Sequence, residues 1–223
     1  MASQWTEESL LSIRERAYLH LKDLILDGEF KAGDRLVERE LAEKLNISRT
    51  PIREALFRLE SQGFVKTVPR KGVIVADSSD QEILEVFTIL SSLEVLASKL
   101  AVQKLNEESK QELQRYIEKV EKQLEGEEEP DISLHSELNH LLYSAAKNKK
   151  LYEILSGLSD YIKAFAKTGY KNSGRARKSM EEHLAIMKAI VNQEEEMAEY
   201  LTRIHIENSK KAYIEAIRNS EKR

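Results

Sequence analysis

The sequence predicts a mainly α-helical chain in two parts, and three observations carry that expectation. Residues 35–76, RLVERELAEKLNISRTPIREALFRLESQGFVKTVPRKGVIVA, hold two short helix patterns, a tight break between them, and two apolar strands, in that order. Residues beyond 80 show helical periodicity only. Eight glycines and three prolines in 223 residues favour long helices with little sheet.

Within the first part, a helix pattern breaks at Leu45–Asn46–Ile47 and a second helix opens at Ser48. Ser48 suits the N-cap, because its hydroxyl can accept a free amide of the first turn. Pro51 falls within that turn, where a missing N–H costs nothing. Glu54, Leu56 and Leu59 continue the helix to Gly63, a suitable left-handed stop. Leu36, Leu41, Ala42, Leu45, Ile47, Ala55, Leu56 and Leu59 supply a small core, leaving Arg49, Thr50 and Arg53 facing outward. Strands Phe64–Val68 and Gly72–Val75 follow, joined by the basic turn Pro69-Arg70-Lys71. This order is that of a winged helix-turn-helix, whose second helix enters the major groove of DNA. Outward guanidinium groups there can fork onto guanine O6 and N7.

Charge agrees when counted locally. Residues 44–71 carry seven basic side chains against two acidic ones, although the whole chain is formally −4. Phosphate contact needs a local positive face, not a basic protein. Charge alone would favour a solvated helix and hairpin with surface arginines; the motif order and wing turn the reading to DNA.

The same residues carry a resemblance. Arg16–Phe30, the run GDRLVERELAEKLNISRTPIREAL, and the closing G-F-V-K-x-x-P-x-x-G resemble the N-terminal domain of the GntR family of bacterial transcription regulators. The resemblance implies that Arg39, Arg49 and Arg53 read the operator. It implies that Ser48 and Thr50 serve phosphates and that Lys71 with Gly72 forms the wing tip. Arg39 has a plainer alternative as a surface charge paired with Glu43.

The boundary is expected at Ala76–Asp80, giving a reader over 1–77 and a second domain over 78–223. Ile83–Leu105 is apolar nearly all round, as for a helix buried on more than one side. Leu113, Tyr116, Ile117, Val120 and Leu124 form one stripe, ending at the acidic loop 125–130. Leu134, Leu138, Leu141, Leu142 and Ala145 form another, and Leu151, Ile154, Leu155, Leu158, Tyr161, Ile162 and Phe165 a third. Two more amphipathic helices cover Arg175–Val191 and Glu195–Ile217. The expectation is an all-α antiparallel bundle of about six helices.

With no cysteine, disulfides and thiolate metal sites are excluded. No N-terminal apolar run and no run of 18 apolar residues is present, so a cytoplasmic chain that does not span a membrane is expected.

A helical domain behind such a reader resembles the FadR-type subgroup with its FCD effector domain. The matching residues are L-E-x-L-A at Leu93–Ala97, A-x-x-N-x-x-L from Ala145 to Leu151, and two widely spaced late histidines. Many members hold a metal with an Asp-x3-His pair on one helix and a histidine on each of the last two. His183 and His205 match the latter. If those helices turn near Gln193, both histidines lie roughly 15–18 Å from the turn and face each other. Counting back from Asn148 puts His135 and Asn139 at the Asp and His positions. A competing register keeps Asp131 and His135 as the pair. His140 and His20 receive no metal role. The plainer alternative is a hydrogen-bonded pair of core histidines. If a metal binds, imidazoles without thiolates favour zinc or nickel. The arginine that helps many relatives hold a carboxylate falls here on Leu90, so the effector is a small molecule, an organic acid or something larger and apolar.

The expected function is a ligand-responsive transcription regulator, more a repressor than an activator, bound as a homodimer to a palindromic double-stranded operator. No catalytic residues are assigned: no nucleophile stands beside a base and no H-E-x-x-H run is present. A metal-dependent enzyme in the helical domain is the alternative, since three imidazoles with an open position also suit catalysis. A helical protein-binding adaptor is the third reading.

Overall fold

The computed structural model describes residues 11–126, 133–166 and 174–220. It divides into two compact units: one runs to Ser79 and takes in Lys163–Phe165, the other holds the remaining residues from Asp80 on.

In the first unit, α1 (Ile13–Leu26) is capped by Ser12, whose hydroxyl accepts from Glu15 N at 3.2 Å. It starts earlier than the Arg16–Phe30 segment, at the Ser12 cap, and ends earlier, with Gly28 at a positive φ of 79° just past the helix. β1 (Arg35–Leu36) then leads into α2 (Glu38–Leu45) and α3 (Arg49–Ser61). The break between these helices is Asn46 in the left-handed region, φ 52°, its N–H donating back to Glu43 O. Asn tolerates that region because its short side chain crowds the backbone little. Ser48 is the N-cap of α3, but its hydroxyl makes no capping hydrogen bond. Gly63, φ 80°, follows the end of α3 as its spacing predicts.

β2 (Val65–Val68) and β3 (Gly72–Val75) pair antiparallel, Val65 opposite Val75 and Val68 opposite Gly72. β1 adds a third strand, giving the order β1-β3-β2. Two residues are too short to announce a strand by pattern; Arg35 and Leu36 become one only by pairing with Ile74 and Val73. Leu21, Ile52, Leu59 and Phe64 are fully buried between the helices and the sheet. Leu45 and Ile47 pack at its margin, half-buried.

The second unit is helical among the described residues: α4 (Asp80–Gln103), α5 (Glu107–Leu124), α6 (Ser133–Ala145), α7 (Lys149–Phe165, whose last three residues count with the first unit), α8 (Arg175–Val191) and α9 (Glu195–Ser220). Asn106 and Asn148 cap α5 and α7 by accepting from Ser109 N and Leu151 N. α9 packs along both α4 and α8, α5 lies on α8, and α6 lies on α4. The α8–α9 turn contains Gln193 at φ 61°.

α4 departs from expectation. It buries one stripe, Ile83, Phe87, Leu90, Glu94, Ala97, Ser98 and Ala101, and leaves Ile89 and Leu96 exposed. Within one chain, neighbours cover only part of its apolar circumference. Ile154 on α7 is likewise exposed, outside its expected stripe. The acidic loop beyond Gly126 and Asp131 lie outside the described residues.

Candidate functional site

Each unit carries a separate constellation. In the first, Arg49, Thr50 and Arg53 stand exposed on α3, opposite its buried Ile52, Ala55 and Leu59. Glu38, on α2, grips Arg53 with both oxygens, at 3.1 Å to Nε and 2.9 Å to Nη2, and lies 3.9 Å from Arg49 Nη2. The hydrogen bonds from Arg53 hold the Glu38 carboxyl below its usual range. A planar fork held this way loses less rotamer freedom on meeting a base. Arg39 is exposed, 3.9 Å from Glu43. Lys71 and Gly72 sit at the hairpin turn, where Arg70 takes φ 66° and Gly72 φ 81°.

The local charge count narrows. Arg58 turns from the outer face to Glu15 at 2.6 Å and lies 3.7 Å from the centre of the Tyr18 ring. Glu60 is engaged too, accepting from Thr67 N at 2.7 Å. Sequence reasoning missed the Glu38 clamp, because its partners lie 15 and 11 residues away with a turn between.

In the second unit, His135 (α6), His183 (α8) and His205 (α9) converge, with one nitrogen of each within 4.8 Å of the others. His183 and His205 approach Nε2 to Nε2 at 2.8 Å. At 2.8 Å the two rings share a hydrogen bond; nitrogens bound at about 2.0–2.1 Å to one tetrahedral zinc ion lie about 3.3 Å apart, so the rings must shift to share a cation. His205 Nδ1 donates to Glu182 Oε2 at 2.8 Å, which turns its Nε2 lone pair into the cluster. The same oxygen accepts from Arg175 Nη1 at 3.0 Å, while Asn208 donates to the other carboxylate oxygen. Burial works to raise the Glu182 pKa, but His205, Arg175 and Asn208 bring it below the usual carboxylate range. Burial, reinforced by His205 and Arg175, pushes His135 down to about 3, and burial pushes His183 well below the imidazole range. Both rings are thus neutral, as metal ligation requires.

Among the described residues, three buried polar atoms along one stripe of α8 find no hydrogen-bond partner: Arg175 Nε, Ser179 Oγ and His183 Nδ1. Nearby, Tyr143 Oη donates to Glu94 and meets Ser159 Oγ at 2.7 Å, while burial pushes the Glu94 carboxyl up. Asn139 is half-buried one turn after His135 on α6. Leu90 is buried in the core. His140 is exposed and bonded to Tyr152 Oη at 2.6 Å, and His20 is exposed on α1. Glu182 and Arg175 were not singled out from sequence; Glu182 beside His183 was the available signal.

Comparison with known proteins decides the family. The model of the bacterial regulatory proteins, gntR family, matches residues 13–75, and that of the FCD domain matches residues 85–208. The chain belongs to the GntR family. It is similar to the HTH-type transcriptional regulator YdhC of Bacillus subtilis, 31% identical over 183 residues, covering 81% of this chain and 82% of that one. The Nta operon transcriptional regulator of Aminobacter aminovorans is 28% identical over 197 residues, covering 86% and 90%. Among solved structures, E. coli McbR/YncC aligns at a TM-score of 0.72 and 25% identity, covering 89% of this chain and 95% of that one. The GntR chain is therefore a transcription regulator with a DNA-binding helix-turn-helix domain and an FCD effector-binding domain, not an enzyme. No helix among the described residues is long and apolar enough to cross a membrane.

Proposed function

We propose that this GntR-family regulator is a metal-dependent, ligand-responsive repressor that acts in the cytoplasm. As a homodimer it binds a palindromic operator through a reader over 1–77 and dimerises through the domain over 78–223. The observation that carries the reading is the convergence of His135, His183 and His205 from three helices, with Glu182 orienting His205. Zinc or nickel suits this donor set, and Asn139 supplies an amide oxygen or holds a water beside it. A bound cation would polarise and anchor an oxygen of the effector. Leu90, on α4, falls where the resemblance puts an arginine; Arg175, on α8, offers a buried Nε–H with no partner among the described residues, and an organic acid suits that cation.

In the reader, Arg39, Arg49 and Arg53 contact bases, Ser48 and Thr50 contact phosphates, and Lys71 and Gly72 lay the wing on the backbone. Dimerisation is supported by apolar side chains left exposed on two helices that pack together, Ile89 and Leu96 on α4 and Met197, Tyr200 and Ile204 on α9. The effector releases the operator by binding the DNA-incompetent arrangement more tightly, since a ligand shifts an equilibrium only by its differential affinity.

The test is elemental analysis of the purified protein before and after zinc incubation, followed by operator titrations with and without small carboxylic acids. Under a tenth of an equivalent of metal per chain after incubation would sink the metal reading. Sedimentation as a monomer at micromolar concentration would sink the dimer.

A further inference from the structure

Phe57 is out of place by the ordinary rules of burial. It is 73% exposed on α3, and every other exposed residue of that helix is charged or carries a hydroxyl. A lone apolar side chain on a surface needs no explanation in itself; the position does. At about 100° per residue, Phe57 falls almost directly over Thr50, two turns on, and about 40° from Arg53, one turn on. It therefore stands at the centre of the face opposite Ile52, Ala55 and Leu59, on the side that presents Arg49 and Arg53. Its charged neighbours are engaged elsewhere: Glu54 pairs with Arg14 at 3.3 Å and Arg58 with Glu15 at 2.6 Å. What remains on this face is a phenyl ring framed by two arginines and a threonine.

We propose that Phe57 is a specificity-determining residue of the reading helix, packing on the C5-methyl group of an operator thymine in the major groove. The occupant follows from charge and chemistry together. The cationic frame selects a polyanion, and the apolar spots on the major-groove floor are the thymine methyls. The rise from Arg53 to Phe57 is about 6 Å, so the thymine lies within about two base steps of the base Arg53 reads. The inference rests on the assignment of α3 as the reading helix and extends it by one contact.

The experiment uses the full-length protein and an operator duplex defined by footprinting, with each thymine replaced in turn by deoxyuridine, which lacks only the methyl. The parent is expected to lose about fourfold in affinity at one thymine per half-site, the worth of burying one methyl group. Phe57→Ala should bind the unmodified operator at least that much more weakly and be indifferent to the same replacement. Its affinity for non-specific DNA should be unchanged. The inference is overturned if no deoxyuridine position has an effect that depends on residue 57, or if Phe57→Ala binds operator like the parent. Arg53→Ala, run in parallel, separates the two levels. Weakened operator binding there with flat deoxyuridine arms removes only the Phe57 contact; unchanged binding removes the reading face and this inference with it.

Discussion

Lowering the pH on metal-free protein should destabilise the helical unit through two histidines in particular. His183 is 2% exposed, and the His135 ring packs 4.5 Å from it, centre to centre. In the folded state burial pushes His135 down to about 3 and His183 well below the usual range, whereas in the unfolded chain both titrate near 6.5. Between those values the unfolded chain binds more protons, so stability present above pH 6.5 is lost as the pH falls toward the folded values. At pH 5, about 1.5 units below the unfolded pKa, keeping His135 neutral costs about 2 kcal/mol, and His183 adds a cost of the same sign. The assay is thermal melting by circular dichroism after chelation, at pH 7.5 and 5.0, of the parent and a His135→Leu, His183→Leu protein. At roughly 2–4 °C per kcal/mol for a chain of this size, the His135 share alone should cost the parent about 4–8 °C more than the variant. Carboxylates common to both proteins cancel in that difference. Equal losses in parent and variant would refute the reasoning, because both imidazoles would then be as protonatable in the folded state as in the unfolded one.

Arg49→Ala or Arg53→Ala should each cost about 1–3 kcal/mol of operator affinity and relax specificity locally, read by fluorescence anisotropy; Lys71→Ala should weaken specific and non-specific DNA alike. Zinc at a hundred times its dissociation constant should stabilise the parent by about 2.7 kcal/mol. His183→Ala with His205→Ala should abolish that gain while operator binding persists, and His140→Ala should do neither. Ile89→Glu with Leu96→Glu, placing charge on the exposed face of α4, should convert a dimer to monomers in sedimentation velocity without lowering helicity.

What was legible in the sequence was local. Asn46 and Gly63 are residues that take positive φ readily, so the break before α3 and its end could be placed from type alone. His183 and His205 could be paired because two regular helices about a turn fix their relative height, and their nitrogens do meet. What escaped depended on contacts made across the fold. β1 exists only because Arg35 and Leu36 meet β3. The Ser48 hydroxyl has the right place for a cap bond and makes none. Periodicity marked α4 as apolar all round but could not say which stripe its neighbours would reach. The Glu38 clamp and the Arg175–Glu182–His205 chain join charges on different elements or two turns apart, beyond the one-turn pairs that helix spacing announces.

That last chain suggests how the proposed sensor acts within its own unit. Glu182 Oε2 is shared by Arg175 of the same helix and His205 of α9, and Arg175 Nη2 also reaches Ser209 of α9 at 2.8 Å. The α8–α9 contact is thus pinned at the level of the histidines by one carboxylate and one guanidinium. A cation drawing on His183 and His205, or an anion drawing on Arg175, must compete with or reinforce these bonds. Either way the free-energy difference falls on the spacing of α8 and α9. α9 also packs along α4, and both leave apolar side chains exposed. A change at the histidines therefore acts on the surface proposed for dimerisation through one intervening helix. Packed helices have discrete arrangements and do not deform continuously, so a sub-ångström change can select between two of them. Breaking the pin without touching a histidine isolates this step: Arg175→Lys keeps the charge and loses the fork. It should leave zinc stoichiometry intact while uncoupling zinc binding from operator affinity; unchanged coupling would mean that α8 and α9 communicate by another route.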